Sequence, residues 1–501
     1  MLRAKRFPLG WITLCVVLLA GSAAAQSNTG TVSGTVVDGQ GQPVPGATLT
    51  LTNEATTVAR VANSDSAGGF KFLAVPPGSY KVRVELTGFQ TMERTHNVLN
   101  ASGAIDLGPL KLAVGTMNEV VTVEVKGTQV EVANSDHASL LTSTQLAQIQ
   151  TKGRDVMNLL RLLPGTHYDT DVDALQDSFG TQVPQINGLR RNWNQVTIDG
   201  LNGNELSGTS RFNSSIGMDA IAEVKVLTSG YRAEFGRTGG ANIQIVTKSG
   251  SSDYQANLFY YGRRDKFNAN TWENNRRGLP RAEYVQDTYG FNVGGPVKIP
   301  GLYNQGDNKK LFFFYSLENP NVQAPAQLRR YRMPTALERA GNFSQTLDSN
   351  GRLVVVRDPL TGQPFPGNII PTSRFDPNGR ALLNMLPLPN ALDQPDSARY
   401  NFERQETPDK PRWSHLLRLD WKPTASDSVF IMGRTFDYTQ TGSEITAGPA
   451  KWGFFNANYI SGDNSVTLGY TKIFRANLVN EATFGIWRAT EAFSAAVDAG
   501  C

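Results

Sequence analysis

Cysteine is almost absent: Cys15 and Cys501, one near each end, are the only two in 501 residues. The chain between them has no pair for a disulfide and no thiol cluster for a metal. Histidine is nearly as scarce, and His96, His137, His167 and His415 lie far apart without ligand spacing. Asp169-x-Asp171-x-Asp173 opens like a calcium loop, but Ala174 and Gly180 stand where that loop needs glycine and glutamate. It reads as a solvated acidic loop. No Gly-x-Ser-x-Gly, phosphate-binding or zinc motif occurs. The expectation is a protein that is not an enzyme and has no metal or cofactor. No internal run approaches the roughly eighteen apolar residues of a spanning helix, so any membrane contact falls to strands. The net charge is +4, with Arg3, Lys5 and Arg6 in the leader. Removing them leaves 48 − 3 = 45 bases against 44 acids, no basic excess for nucleic acid.

What is present begins with a secretory signal over residues 1–25. Arg3, Lys5 and Arg6 form its positive end, Trp11 to Ala20 its short apolar run, and Ala23-Ala24-Ala25 a cleavage site before Gln26. The run is short for an uncleaved anchor, and the chain is expected to be exported.

Residues 26–113 alternate short β-type runs with turn clusters. Thr31 to Val37 has period two and ends at Asp38-Gly39-Gln40-Gly41, and Ala47 to Thr52 and Tyr80 to Leu86 follow the same rule. Gly68-Gly69 and Pro76-Pro77-Gly78 mark corners between them. A small β-sandwich follows from this spacing. The run Gly34-x-Val36-x-Asp38-x-x-Gly41-x-Pro43-Val44-Pro45-Gly46-Ala47, with Pro77-Gly78-Ser79-Tyr80 and Gly88-Phe89, resembles the carboxypeptidase regulatory-like domain. The resemblance implies a non-catalytic, prealbumin-like sandwich with a carbohydrate-binding-like fold.

Residues 114–127 hold a β-prone stretch, Asn118-Glu119-Val120-Val121-Thr122-Val123. Alone, it reads as the last strand of the sandwich. Residues 128–250 give it a second reading. Thr142-Ser143-Thr144-Gln145 has the capping-box form, opening a helix with Leu146 and Ile149. A second helix is predicted from near Arg154, with Val156, Leu159, Leu160 and Leu163 on one face and a stop at Pro164-Gly165. Then come Asn187-Gly188-Leu189-Arg190, a strand ending in Asp199-Gly200, Ile221-Ala222-Glu223-Val224, Glu234-Phe235-Gly236, and Gly239-Gly240 before Asn242 to Lys248. This order resembles the plug of TonB-dependent receptors, departing at Asn187, where many members carry arginine. The motif residues carried over are Asn187, Gly188, Asp199, Gly200, Glu223, Gly236, Gly239 and Gly240. By the same resemblance, Asn118 to Val123 is a candidate TonB box, the segment that binds a TonB-type protein of the inner membrane.

Residues 251–501 change to longer alternating strands. Tyr254, Leu258 and Tyr260 oppose Gln255, Asn257 and Phe259; Trp413, Leu417, Leu419 and Trp421 oppose Ser414, Arg418 and Asp420; Val466, Leu468 and Tyr470 oppose Ser465, Thr467 and Gly469. One greasy face for lipid and one wet face for a lumen suit a transmembrane β-barrel. The short connections Lys422 to Asp427 and Phe474 to Ala476 read as periplasmic, and the long stretch from Asn319 to Lys410 as external. About seven strands are expected, the start of a longer barrel. Arg263 to Asn270, Gly294-Gly295-Pro296, Lys309 to Tyr315 and Glu338 to Ser344 resemble the Oar-like subgroup.

The fold class expected is therefore mainly β: a prealbumin-like sandwich, an α/β plug and the first seven or so strands of an incomplete transmembrane barrel. The resemblance implies TonB-dependent transport of an unknown ligand across the bacterial outer membrane, with the sandwich in the periplasm and outer-membrane lipid around the barrel. An adhesin or surface-assembly protein that binds through its sandwich is the alternative.

Overall fold

The computed structural model describes residues 28–495 apart from 116–119, 125–134, 150, 152–153, 169–180, 205–210, 213–215, 233, 237, 271, 277, 279, 282, 300–309, 324–328, 393–398, 405–409 and 443–456. The signal, the acidic loop at Asp169 to Asp173, and Asn118 and Glu119 lie outside the described residues.

Eight strands build the N-terminal unit: β1 (Gly30–Val37), β2 (Thr48–Asn53), β3 (Ala59–Asn63), β4 (Gly69–Val75), β5 (Gly78–Glu85), β6 (Thr91–Leu99), β7 (Ala104–Lys111) and β8 (Val120–Glu124). They form two sheets, β4-β1-β7 and β3-β2-β5-β6-β8. Alternation sends Val32 and Val36 of one sheet and Leu49, Leu51, Val82 and Val84 of the other into a shared core, closed by Phe70, Phe72 and Leu110. The β3–β4 corner is pinned by the Asp65 carboxylate, which accepts from the backbone N–H groups of Ala67 (2.9 Å) and Gly69 (2.8 Å). Gly68 turns there with φ +73°, and a Cβ on it would lie 2.4 Å from the Val36 carbonyl oxygen.

The next unit is a mixed sheet with short helices. β9 (His137–Thr142), β10 (Gln195–Ile198), β11 (Leu201–Asn202), β12 (Ile221–Ser229) and β13 (Asn242–Thr247) lie in the order β11-β10-β13-β12-β9. Helix α1 (Ser143–Gln148) starts with the capping box read from sequence: Gln145 N–H donates to Thr142 Oγ1 and Thr142 N–H to Gln145 Oε1. The second helix is shorter than its apolar spacing suggests. Helix α2 (Val156–Leu159) makes one turn, Leu160–Leu162 tightens into a 3-10 turn, and Leu163 is already extended ahead of Pro164. Val156, Leu159 and Leu160 still pack onto Val196, Ile198, Val224, Val226, Ile243 and Ile245.

Seven long strands complete the described chain: β14 (Gln255–Arg264), β15 (Val285–Pro296), β16 (Leu311–Gln323), β17 (Arg412–Trp421), β18 (Asp427–Gly442), β19 (Ala457–Arg475) and β20 (Leu478–Ala495). They pair antiparallel in chain order, and the sheet does not close; β14 and β20 are its edges. Its faces follow the parity read from sequence. Leu258, Trp413, Leu417, Ile431, Val466, Leu468, Phe484 and Ile486 are exposed on one face, while Phe312, Phe314, Leu416, Met432 and Arg434 are buried on the other. The inner face is not simply wet: Phe314, Leu416 and Met432 belong to the same apolar core as the mixed sheet. Strand spacing is unforgiving at Gly290, where a Cβ would come 2.2 Å from the Leu317 carbonyl oxygen. Gly290→Ala is expected to destabilise the sheet by about 1–3 kcal/mol, measured as a lowered urea midpoint in lipid vesicles.

Candidate functional site

The mixed sheet is buried on both sides. One face carries Val224, Val226, Ile243 and Ile245 into the core, and the other carries Glu223, Lys225 and Gln244, also buried. What covers those polar groups is the sandwich. The loop after β6 sets Ala101 and Ser102 on them: Lys225 Nζ donates to the Ala101 carbonyl (3.0 Å), Ser102 Oγ to Gln244 Oε1 (3.3 Å), and Ala101 N–H to the Glu223 carboxylate. Arg232 Nη2 adds a bond to the Ser102 carbonyl at 3.0 Å. The sandwich reaches the long-stranded sheet as well, through Thr29 Oγ1 to Glu481 Oε1 at 2.7 Å.

At one end of the mixed sheet a tight turn follows β10, with Asp199 at φ +44° and Gly200 at +84°. The Asp199 carboxylate accepts from Thr247 Oγ1 (2.5 Å) and pairs with Arg418 Nη1 (3.2 Å). Arg418 points inward from β17, also holds Asp420 (Nε to Oδ2, 2.9 Å), and donates to Thr247 Oγ1 at 3.1 Å. A second tie joins the units farther along. Arg154, just before α2, bonds Asp219 at 2.5 Å, lies 3.8 Å from Glu318 of β16, and places its guanidinium 3.6 Å from the Tyr261 ring centre. Between sandwich, mixed sheet and wall lies a cavity of about 400 Å³, lined in part by Arg60, Asp199, Glu223, Arg418 and Lys422. Burial pushes the Lys422 ammonium down to about 8, with Asp420 opposing the shift and Arg60 and Arg418 adding to it.

Residues 246–500 match the outer membrane beta barrel domain, residues 133–242 the TonB-dependent receptor plug domain, and residues 31–112 the carboxypeptidase regulatory-like domain. The chain belongs to the TonB-dependent outer-membrane receptor family. Its seat is the bacterial outer membrane. It is 29% identical over 308 residues to the TonB-dependent transporter Oar of Myxococcus xanthus, covering 57% of this chain and 27% of that protein. The outer membrane transporter YddB from Escherichia coli is 12% identical with a TM-score of 0.42, covering 70% of this chain and 38% of that one. The siderophore receptor PirA from Acinetobacter baumannii is 13% identical with a TM-score of 0.36, covering 72% and 45%. The chain thus spans less than half the length of each of these relatives.

In this TonB-dependent receptor the plug-motif residues are not all brought together. Asp199, Gly200 and Glu223 border the cavity end of the plug sheet. Asn187 and Gly188 lie toward the opposite end, where Asn187 N–H donates to the Gly165 carbonyl (2.9 Å) and so joins the Pro164-Gly165 stop to the Asn-Gly turn. Gly239 and Gly240 pack against the turn at Trp193 and Asn194; a Cβ on Gly240 would meet Asn194 Oδ1 at 2.4 Å. Gly236 is exposed. Val120 to Val123 lie in β8, which pairs in parallel with β6, Thr91 opposite Val120 through Thr95 opposite Glu124. Its valines stay exposed, at 49%, 48% and 42% for Val120, Val121 and Val123. Arg154, Asp219, Glu318 and Arg418, the ties between plug and wall, were not singled out from sequence. Their signal was a charge on the inward parity of a β-strand, or beside a helix cap.

Proposed function

We propose that the protein carries a ligand across the outer membrane, driven by a TonB-type protein of the inner membrane acting on the box segment Asn118 to Val123. One observation carries this reading: the inner face of the long-stranded sheet and the plug share an apolar core and the Asp199–Arg418 ion pair. A ligand moving along that face must displace packed side chains, which requires outside work, and no nucleotide-binding motif supplies it. Among the described residues, the exposed β8 is an edge strand with one open backbone edge, the form in which an extended segment is taken up by β-augmentation. The long-stranded sheet is read as barrel wall, its outward apolar face against outer-membrane lipid and its sandwich side toward the periplasm. An adhesin would need only an anchor, and a plug packed against the wall would serve nothing in it.

Deleting Glu119 to Val123 in the full-length protein is expected to abolish capture of a soluble TonB-type C-terminal domain on a biosensor, and with it energised uptake. Binding of the ligand at the outer surface is expected to persist. Unchanged capture of that domain by the deletion variant would remove the assignment.

A further inference from the structure

We propose that the sandwich is a lid on the periplasmic mouth of the plug, and that a pull on β8 lifts it before the plug itself yields. The inference rests on the reading of Asn118 to Val123 as the segment that is pulled.

Three observations place the parts. First, β6 carries both ends of the linkage. Its residues Thr91 to Thr95 hold β8, and it ends at Leu99, two positions before the Ala101–Ser102 contact with the plug sheet. Load applied to β8 therefore passes along one strand into the loop that grips the plug. Second, the grip is polar. The sandwich core and the plug core are separate clusters, and the described bonds between the two units come from Lys225, Glu223, Gln244 and Arg232 of the plug, while Ser252 N–H, just past the plug, donates to the Ala55 carbonyl at 2.9 Å. Groups of this kind exchange their partners for water when separated, at a modest net cost for each bond. By contrast, the chain leaving β8 toward the plug reaches β9, which is zipped to β12 from Thr142 to His137 and buries Leu141 in the plug core. Third, the covered ground is the mouth itself: the cavity of about 400 Å³ lies between the sandwich, the Asp199 and Glu223 end of the plug, and the wall at Arg418 and Lys422. With the sandwich seated, that end of the plug is roofed; with it lifted, it opens to the periplasm.

The two ends of the seat offer staples. Ala101→Cys with Glu223→Cys joins sandwich to plug, and Thr29→Cys with Glu481→Cys joins sandwich to wall, each bridged by a short reducible bis-methanethiosulfonate linker that makes up the length of the lost Glu side chain, in a Cys501→Ser background. The full-length protein in lipid nanodiscs is pulled through a soluble TonB-type C-terminal domain fixed to a cantilever. The reduced protein is expected to show an early extension at lower force than plug unfolding. Cross-linking of either pair removes that early event, and reductant restores it; melting curves of the single-cysteine variants check that each folds. An early event that survives verified cross-linking at both sites overturns the lid, as does its absence from the reduced protein. If the domain forms no tether at all, the box reading fails and the lid falls with it, whereas a tether with a staple-insensitive trace defeats the lid alone.

Discussion

Replacing Arg418 by methionine is expected to lower the unfolding free energy of the plug–wall unit by about 3–5 kcal/mol. Arg418 sits between Asp199 of the plug and Asp420 of its own strand, at 3.2 and 2.9 Å. Its removal leaves Asp199, which is 5% exposed, with a buried negative charge supported by the Thr247 hydrogen bonds and the field of Arg434 but by no direct ion pair. The penalty is that of an unpaired charge in a water-poor site rather than of a lost surface bridge. The double variant Arg418→Met with Asp199→Leu is therefore expected to recover most of the loss, because both charges are gone. Urea titrations in lipid vesicles, followed by tryptophan fluorescence, give the comparison. A single variant as stable as the parent, or a double variant no better than the single, would show that the pair does not join plug to wall.

The second large effect separates adjacent residues of β16. Phe314 is buried in the plug core, whereas Phe313 points the other way and is only partly buried. Phe314→Ala opens a hole between wall and plug and is expected to cost about 3–5 kcal/mol. Phe313→Ala is expected to leave the plug in place, since its ring belongs to the face read as lipid-facing. Limited proteolysis of the plug in reconstituted protein distinguishes them: faster cleavage in Phe314→Ala alone is expected, and equal rates would contradict the shared core.

Much of this architecture was legible in the sequence because its signals are local. Period-two alternation and Asx or glycine turns define the sandwich strands, the Thr142–Gln145 box fixes the start of α1, and the parity of Trp413, Leu417 and Trp421 against Ser414 and Arg418 sets the two faces of the wall. What alternation does not reveal is a strand's neighbour. Val120 to Val123 read alone as a sandwich strand and, with the plug after them, as a box, and pairing with β6 shows the first arrangement. Similarly, Lys225 and Gln244 have the pattern of a solvent face, but the sandwich loop covers them. Phe314, Leu416 and Met432 sit on the parity expected to be wet, yet they complete the plug core. Each of these depends on contacts across long sequence separations, for which a single chain carries no local marker.

Strand length bears on how far the sheet would reach beyond a bilayer. A bilayer takes up about 9–11 residues of a tilted strand, whereas β18, β19 and β20 have 16, 19 and 18. At about 3.3 Å per residue, less the tilt, the surplus raises a collar on the order of 15–20 Å above the hydrocarbon. It rises at the end away from the two short turns. Inside that collar Tyr438 and Tyr459 meet edge to face at 5.8 Å, beside Phe436. If the long-stranded sheet is barrel wall, as proposed, this aromatic cluster stands well clear of the lipid, at the end of the sheet away from the short turns.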